Sequence, residues 1–533
     1  HDEPPSAAFA ARFVSENTLA RLKALDSRAR RHGLEALDPT KNILIAIGSE
    51  VDSNGRVTKN SYGVLNLTWQ AAKHPEWPAM VLGELAEIRG RIRETHDAPL
   101  QFVIWAGMGG SAEDKSMYNA VGLLRKSPRV YVLDSTDPAK LSAILDDIAR
   151  RSRLPLGKAL KRTLVVGMAM GMTSYEPVVN LEKLAALYDR EGVDSRPNFI
   201  YMTLPGSLLD QFAAARGYRK VELQPDNGNS TAGRHSAPMT RGSLYPLGLC
   251  GVDLEAWIRG ASLGDEQIAA AWRLAAFLHA QGLAGRDKVT LMLPKCWAGA
   301  ALWTKQDFEE SLGKSEETGI KIIIGERVKT SNYRAPKDPE QDRVFLGVQV
   351  KGETSPEAPK LALLRRAGYP AAVVAFPKET PLSTYMQFVH YAVFGLGFLR
   401  KMNFVTQPSV ELYKAITNRL HAAAAKAGGI AKSTEWRAFI ETPHQAKWRN
   451  RVTLRYEHAG VPVAPREGAA PAVYAALLRS AMEQGATYGE LSFFGDLRYS
   501  KDGAAVRRVL ERAGELVFRS RLKAPVDVYE GPA

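Results

Sequence analysis

Short runs of β-branched and aromatic residues alternate with longer stretches of helical periodicity, and this alternation most restricts how the chain can fold. A first sheet is predicted from the runs at residues 102–107, 129–134, 163–168, 199–204 and 220–224. A second sheet is predicted from the runs at residues 288–294, 320–326, 343–350 and 371–376. Strands that alternate with helices are typical of parallel sheets with crossover helices. The pattern therefore predicts an α/β protein with two parallel sheets.

The length of 533 residues is too great for one ordinary hydrophobic core and indicates two or three globular domains. We predict an N-terminal helical or extended region at residues 1–84 and a first α/β domain at 85–255. A second α/β domain follows at 256–430, and a C-terminal α+β extension at 431–533. Helical periodicity over residues 384–399 predicts a helix that packs across the sheets.

The charge and cysteine content narrow the class of protein. Lys and Arg outnumber acidic residues by 71 to 57, which gives a formal net charge of +14. These cations are dispersed among acidic neighbours, and no nucleic-acid-binding module is visible, so small anionic substrates suit the charge at least as well. The two cysteines, Cys250 and Cys296, cannot form a disulfide framework, and a reducing cytoplasmic location is expected. We expect no membrane span, since no apolar stretch approaches about 20 residues.

A glycine-rich segment, residues 107–111, lies between the first predicted strand and its helix. Glycines there permit close backbone approach, and the following helix N-terminus offers free N–H groups to an anion. A tight turn that serves only packing explains the pattern equally well, and the spacing does not match GxGxxG. Glu113 and Asp114 occupy the first helical turn, where carboxylates suit the helix dipole but would repel a phosphate.

Four polar residues later in the chain are candidates for a site. Gln306 and Glu310 are one helical turn apart, so a helix would place both on one face. A solvated surface face is the simpler interpretation of that pair. Arg234, in a predicted loop, and Lys414, in a predicted helix, have similarly simple structural interpretations.

Several short motifs, taken in order, resemble the phosphoglucose isomerase family, and most of all the isomerase half of bacterial bifunctional transaldolase/phosphoglucose isomerase proteins. The resemblance extends from about Gly107 to Lys414, over half the chain, and more weakly to YGELSFFGDL near the end. The motifs are GMGGS at 107–111, LDSTDPA at 133–139, LPGSLLDQFAAARGYRKV at 204–221, AGRHSA at 232–237, LAGRDKVTL at 283–291, ESLGK at 310–314 and QPSVELYK at 407–414.

This resemblance implies a fold and a set of roles. The fold is two sugar-isomerase (SIS-type) three-layer αβα sandwich domains, paired in a homodimer. Glu310 would be the base that moves a proton between C1 and C2 through an enediol, with Arg234 holding the enediolate and Lys414 near the ring oxygen. The substrate contacts would be Gly110, Ser111, Ser174, Glu176 and Gln306. The resemblance implies no metal or organic cofactor.

Two departures from the family pattern affect the substrate. The family's Ser-Lys-Thr type of phosphate loop is replaced by Ala169, Met170 and Gly171, while Ser174 and Glu176 remain. This loss removes charge-assisted hydrogen bonds to an anion and predicts altered phosphate recognition. The ring-opening histidine is also missing, since the only histidine between Glu310 and Gln407 is His390, which we interpret as a buried or half-buried helix residue.

The sequence is therefore compatible with two main functions. An aldose-ketose isomerase is favoured by the retention of Glu310, Gln306, Arg234 and Lys414. A non-catalytic sugar or sugar-phosphate binding protein on the same fold is favoured by the altered loop. Nucleic-acid binding through the basic C-terminal segment is the weakest alternative.

Overall fold

The computed structural model describes residues 10, 13–14, 18–60, 62–228, 238–314, 319–406, 408–456 and 470–531. The N-terminal part contains helices and short strands that precede the first parallel sheet. These elements are α1 (Thr18–His32), α2 (Ile43–Gly48), β1 (Ser49–Val51), β2 (Val57–Asn60), α3 (Tyr62–Ala71) and α4 (Trp77–His96). Strands β1 and β2 pair antiparallel.

The first parallel sheet has the strand order β4-β3-β5-β6-β7. Its strands and the helices around them are β3 (Phe102–Ala106), α5 (Glu113–Ala120), β4 (Arg129–Leu133), α6 (Pro138–Ser152), α7 (Leu156–Leu160), β5 (Thr163–Ala169), α8 (Glu176–Arg190), β6 (Phe199–Thr203), α9 (Leu208–Ala215), β7 (Arg219–Lys220), α10 (Arg241–Leu249) and α11 (Leu254–Ala261). The predicted strand at 220–224 is wrong in extent. The chain turns back after β7, where the Gln224 N–H donates to the carbonyl of Gly228.

The second parallel sheet has the order β11-β10-β8-β9. Its elements are α12 (Asp265–Leu283), β8 (Lys288–Met292), α13 (Ala301–Leu312), β9 (Lys321–Ile323), β10 (Arg343–Val350), α14 (Ala358–Arg366), β11 (Ala371–Phe376) and α15 (Leu382–Arg400). All pairings in both sheets are parallel, which confirms the predicted α/β class with crossover helices.

Side-chain alternation along the strands divides the first sheet between two cores. Val103 and Trp105 of β3 face a large central core, whereas Ile104 faces a second core beneath the outer helices. The central core also contains the inner residues Val344 and Leu346 of the second sheet. Successive strand residues point to opposite faces, so β3 contributes to both cores.

Helix α15 is buried along its length inside this chain. Every residue from Leu382 to Leu399 is buried, and the helix packs against α11, α12 and α13. A helix that is apolar on all sides is stable only when it is surrounded by protein. This helix is covered by its own chain, so it cannot be the apolar surface that a second subunit would cover, and the homodimer stays a prediction without that support. Of the helices in the described ranges, none is both long and apolar enough to cross a membrane.

The residues after α15 form a mixture of helices and short strands. They are α16 (Pro408–Ala427), α17 (Thr434–Ile440), β12 (Gln445–Trp448), β13 (Val452–Arg455), α18 (Ala470–Glu483), β14 (Gly489–Phe494), α19 (Lys501–Ala513), a π-helical segment (Gly514–Leu522) and β15 (Val526–Gly531). Strands β12 and β13 pair antiparallel, and β14 and β15 pair parallel. We call residues 489–531 the C-terminal unit. The predicted domain boundaries stay a prediction.

Candidate active site

The glycine-rich segment forms a tight turn at the carboxyl end of β3. Gly109 has a φ of +53° and begins a short 3-10 turn that ends at Ser111. A Cβ atom on Gly107 would lie 2.8 Å from the carbonyl oxygen of Ser111, so a side chain there would collide with the backbone. The same carbonyl accepts a hydrogen bond from the Trp105 indole at 3.0 Å. Gly110 is half-buried and Ser111 is 5% exposed, so packing accounts for much of this turn.

Helix α13 brings Gln306 and Glu310 against this turn. The Gln306 amide donates to a Glu310 carboxylate oxygen at 2.9 Å, as expected for residues four apart on a helix. A Cβ atom on Gly109 would lie 3.2 Å from the Gln306 amide nitrogen. The absence of a side chain at Gly109 therefore lets the turn approach the Gln306–Glu310 pair.

A cavity of about 310 Å³ opens beside this pair. Helix α13 and the C-terminal unit line it together, through Leu302, Lys305, Gln306, Glu309, Glu310, Glu490 and Tyr529. Glu309 is held by Lys305 at 2.6 Å and by Lys321 at 2.9 Å. Glu490 accepts a hydrogen bond from Tyr488 at 3.0 Å. Glu309 and Glu490 are thus engaged in contacts with other protein groups.

Helix α16 contacts the loop that follows β5. A Cβ atom on Gly171 would lie 2.8 Å from the Ser174 hydroxyl oxygen and 3.6 Å from the Lys414 ammonium nitrogen. The Tyr413 hydroxyl donates to a Glu176 carboxylate oxygen at 3.3 Å. Strands β3 and β5 are parallel neighbours, so this loop and the glycine-rich turn leave the same edge of the sheet.

Two other predicted residues have different outcomes. Arg234 lies outside the described residues, and its role stays a prediction. His390 is 5% exposed, and its Nδ1 atom lies 3.3 Å from a carboxylate oxygen of Asp307. Its ring packs edge-on against Trp303. The interpretation of His390 as a buried helix residue is therefore confirmed.

The sequence did not indicate that the C-terminal unit reaches this site. Burial, followed by the nearby carboxylates of Glu113 and Glu310, raises the pKa of Tyr529 well above its usual value. The phenol therefore stays protonated. The sequence signal for this contact is the alternation in VDVYEG at residues 526–531. In a strand, this alternation places Asp527 and Tyr529 on the same face.

A buried charge network connects the first sheet to the C-terminal unit. Lys140 lies 2.5 Å from Asp134, which follows β4, and also contacts Glu530 of β15. The Arg498 guanidinium lies 2.8 Å from Asp134 and 3.9 Å from Glu113. Burial raises the pKa of Glu113 to about 7, with Asp134 and Glu530 adding to the rise and Arg498 opposing it. Asp114 instead pairs with the buried Lys115 at 2.7 Å.

The raised pKa of Glu113 predicts a pH-dependent stability. Its ordinary value is 4.5, so ionisation costs folding free energy as the pH rises from about 4.5 to about 7. We expect Glu113→Gln to match the wild type near pH 4, below the ordinary pKa of the carboxyl. By pH 8 it should gain up to about 3 kcal/mol relative to the wild type. Thermal unfolding midpoints at both pH values measure this difference. The exposed Glu182→Gln is the control, and a difference for Glu113→Gln that stays constant with pH would refute the assignment.

Solved structures share this fold. A glucose-6-phosphate isomerase from Chlamydia trachomatis matches with a TM-score of 0.55 and 17% identity, over 79% of this chain and 88% of that one. A hypothetical protein from Thermus thermophilus matches with a TM-score of 0.51 and 19% identity, over 67% of this chain and 94% of that one. The chain thus has the α/β fold of the sugar-isomerase type.

Sequence relatives make the relationship more specific. Two glucose-6-phosphate isomerases of Prochlorococcus marinus strains are 26% and 28% identical over 43% of this chain. These matches span 43% and 41% of the relatives' own length. One from Thermosynechococcus vestitus is 26% identical over 64% of this chain and 72% of its own length. The chain is therefore a relative of the glucose-6-phosphate isomerases. No protein-family model matches it.

Proposed function

We propose that this chain is an aldose-ketose isomerase of the glucose-6-phosphate isomerase type, acting on a sugar phosphate. The observation that carries this proposal is the Gln306–Glu310 pair, which lies between the glycine-rich turn and a cavity of about 310 Å³. A carboxylate in that position can take a proton from one carbon of a bound sugar and return it to the next. The names of the sequence relatives agree with this chemistry.

The roles of the individual groups follow from their chemistry. The Gln306 amide holds one Glu310 oxygen, which orients the carboxylate at the wall of the cavity. Arg234, whose guanidinium stays charged, would stabilise the enediolate that forms when the proton leaves. Proton removal and enediolate stabilisation are thus both assigned to side chains of this protein. Among the described residues, no group of three or more His, Cys, Asp or Glu side chains is arranged to hold a metal ion.

Proton exchange tests the proposal directly. An enediol intermediate must exchange the C2 hydrogen of the sugar with solvent even when net turnover is slow. We expect deuterium to enter C2 of one member of a panel of free and phosphorylated aldoses in heavy water, as followed by proton NMR. An absence of exchange across the panel would remove the isomerase proposal.

We further propose that phosphate recognition is altered and depends on Lys414, which would then contact the phosphate in place of the role near the ring oxygen that the resemblance implies. Ala169 and Met170 are buried, so neither offers a contact to a ligand. The cation and hydroxyl beside Gly171 are Lys414 and Ser174. Compared with a Ser-Lys-Thr loop, positions 169–171 supply neither a cation nor a side-chain hydroxyl, and each lost charge-assisted hydrogen bond removes about 1.5–3 kcal/mol. We therefore expect fructose 6-phosphate to bind weakly, with a dissociation constant of about 1 mM.

Replacing Lys414 by Met should weaken fructose 6-phosphate binding at least about tenfold, because the anion loses its charged partner at this loop. Titration calorimetry measures the change. Lys426→Met, at an exposed position near the end of the same helix, is the matched control and should bind as the wild type does. Unchanged binding by Lys414→Met would refute the role of Lys414, and micromolar binding by the wild type would refute altered recognition.

The altered loop also favours a second function, a sugar-binding protein without catalysis. Both functions predict binding of a sugar phosphate, but only the isomerase predicts exchange of the C2 hydrogen. Binding without exchange would establish the second function. The homodimer and the cytoplasmic location stay predictions.

A further inference from the structure

We propose that Tyr529 of the C-terminal unit contacts the substrate and donates a hydrogen bond to an uncharged sugar oxygen in the Glu310 cavity. This inference rests on the proposed function for the identity of the ligand. It adds a substrate contact from a segment outside both parallel sheets. The cavity is incomplete without that segment, because Glu490 and Tyr529 line it together with residues of helix α13.

The alternation of strand β15 directs Tyr529 at the cavity. Asp527 and Tyr529 are two residues apart and therefore lie on the same face of the strand. Asp527 contacts Lys305 of α13, and Tyr529 lines the cavity with Gln306 and Glu310, which lie further along that helix. The strand thus runs along the helix face that carries the proposed base.

Both faces of β15 are anchored, so the position of Tyr529 is well defined. On the cavity face, Asp527 is 2% exposed and accepts a hydrogen bond from Tyr488 at 2.8 Å. On the opposite face, Glu530 contacts Lys140 and lies 3.6 Å from the Arg498 guanidinium. Ion pairs on the two sides hold the backbone that carries Tyr529. A side chain on such a rigid element can orient a ligand.

The hydroxyl of Tyr529 differs from the other polar groups of the cavity wall. Lys305, Glu309 and Glu490 are bonded to other protein groups. Within the described parts of the chain, no residue forms a hydrogen bond with the Tyr529 hydroxyl. Burial and nearby carboxylates keep the pKa of Tyr529 high, so the hydroxyl can donate a hydrogen bond at any ordinary pH. Tyrosine hydroxyls in such settings usually have a partner.

The charge of the cavity indicates which part of the ligand it holds. Among the described residues that line it, three carry negative charge, Glu309, Glu310 and Glu490, and Lys305 carries positive charge. This excess of negative charge disfavours a phosphate. The neutral phenol suits a sugar hydroxyl or carbonyl oxygen. The phosphate would instead lie at the loop where Lys414 and Ser174 approach Gly171. Tyr529 would then select for the uncharged end of the sugar.

The test compares Tyr529→Phe with Tyr474→Phe, a matched substitution at a partly exposed position on α18. Fructose 6-phosphate and fructose are the probes. Affinity is measured by calorimetry, exchange of the C1 hydrogen of the ketose for deuterium by NMR, and stability by thermal unfolding. We expect Tyr529→Phe to weaken binding of fructose 6-phosphate about three- to tenfold, the effect of one lost hydrogen bond. Its unfolding midpoint should stay within about 2 °C of the wild type, and Tyr474→Phe should change neither quantity.

A second variant and the separate readouts keep the two proposals distinguishable. Tyr529→Trp, which adds volume to the cavity, should weaken both binding and exchange more than Tyr529→Phe does. Unchanged affinity and exchange in both Tyr529 variants would overturn the contact and leave the isomerase proposal standing. Binding by the wild type without exchange would refute the isomerase proposal. The affinity of Tyr529→Phe alone would then decide whether Tyr529 contacts the sugar. A wild type that binds neither probe would overturn the contact as well.

Discussion

Replacing Glu310 by Gln should lower the rate of C2 hydrogen exchange at least about a thousandfold, because the amide cannot accept the proton that the carboxylate takes. The substitution keeps the size and shape of the side chain and can keep a hydrogen bond with Gln306. The unfolding midpoint should therefore change little. Deuterium incorporation at C2, followed by proton NMR at saturating substrate, measures the loss.

The neighbouring residue supplies the control for this result. Glu309 differs from Glu310 by one position, but its carboxylate is held by Lys305, Lys321 and the backbone N–H of Ile322. We expect Glu309→Gln to lower the unfolding free energy by about 1.5–3 kcal/mol, because hydrogen bonds to a charged group are lost. If Glu310→Gln loses stability in the same way and keeps its exchange rate, Glu310 is not the base.

Replacing Asp527 by Ala should destabilise the protein by about 3–5 kcal/mol, because it leaves the buried Lys305 with one of its two carboxylate partners removed. Although burial opposes the charge, Glu309 and Asp527 raise the pKa of Lys305 above its usual value. The lysine therefore keeps its charge in the folded protein and needs these partners. Chemical denaturation followed by tryptophan fluorescence measures the loss.

The control for Asp527 is an exposed ion pair in the same unit. Glu511 lies 3.7 Å from Arg507 on the surface of α19, and Glu511→Ala should cost less than about 1 kcal/mol. The destabilised Asp527→Ala variant should also weaken sugar binding, because Tyr529 is carried by the same strand. A stability close to that of the wild type would show that Asp527 does not anchor the C-terminal unit.

Much of the fold could be predicted from the sequence because strand and helix patterns are local. The runs at residues 102–107, 163–168 and 343–350 became β3, β5 and β10 with boundaries that differ by one residue or less. In place of the strand predicted at 220–224, the structure has the two-residue strand β7, because the chain turns back at Gln224. Its apolar alternation could not reveal that turn.

The candidate site could be predicted only in part. Residues four apart on one helix must share a face, so the contact between Gln306 and Glu310 follows from spacing alone. The approach of Lys414 to Gly171 depends on how α16 packs against a loop more than 200 positions earlier in the chain. The burial of α15 inside one chain likewise depends on its neighbours, since an apolar helix can be covered by its own chain or by a second subunit.

By itself the sequence determined the α/β class, the order of the strands along the chain and the family resemblance, because these depend on local periodicity and short motifs. The tertiary structure alone decided that Tyr529 meets Glu310, that Glu113 is buried beside Arg498, and that Lys414 reaches the altered loop. Such contacts join residues far apart in the chain. Their geometry is decided by packing, which one-dimensional patterns do not record.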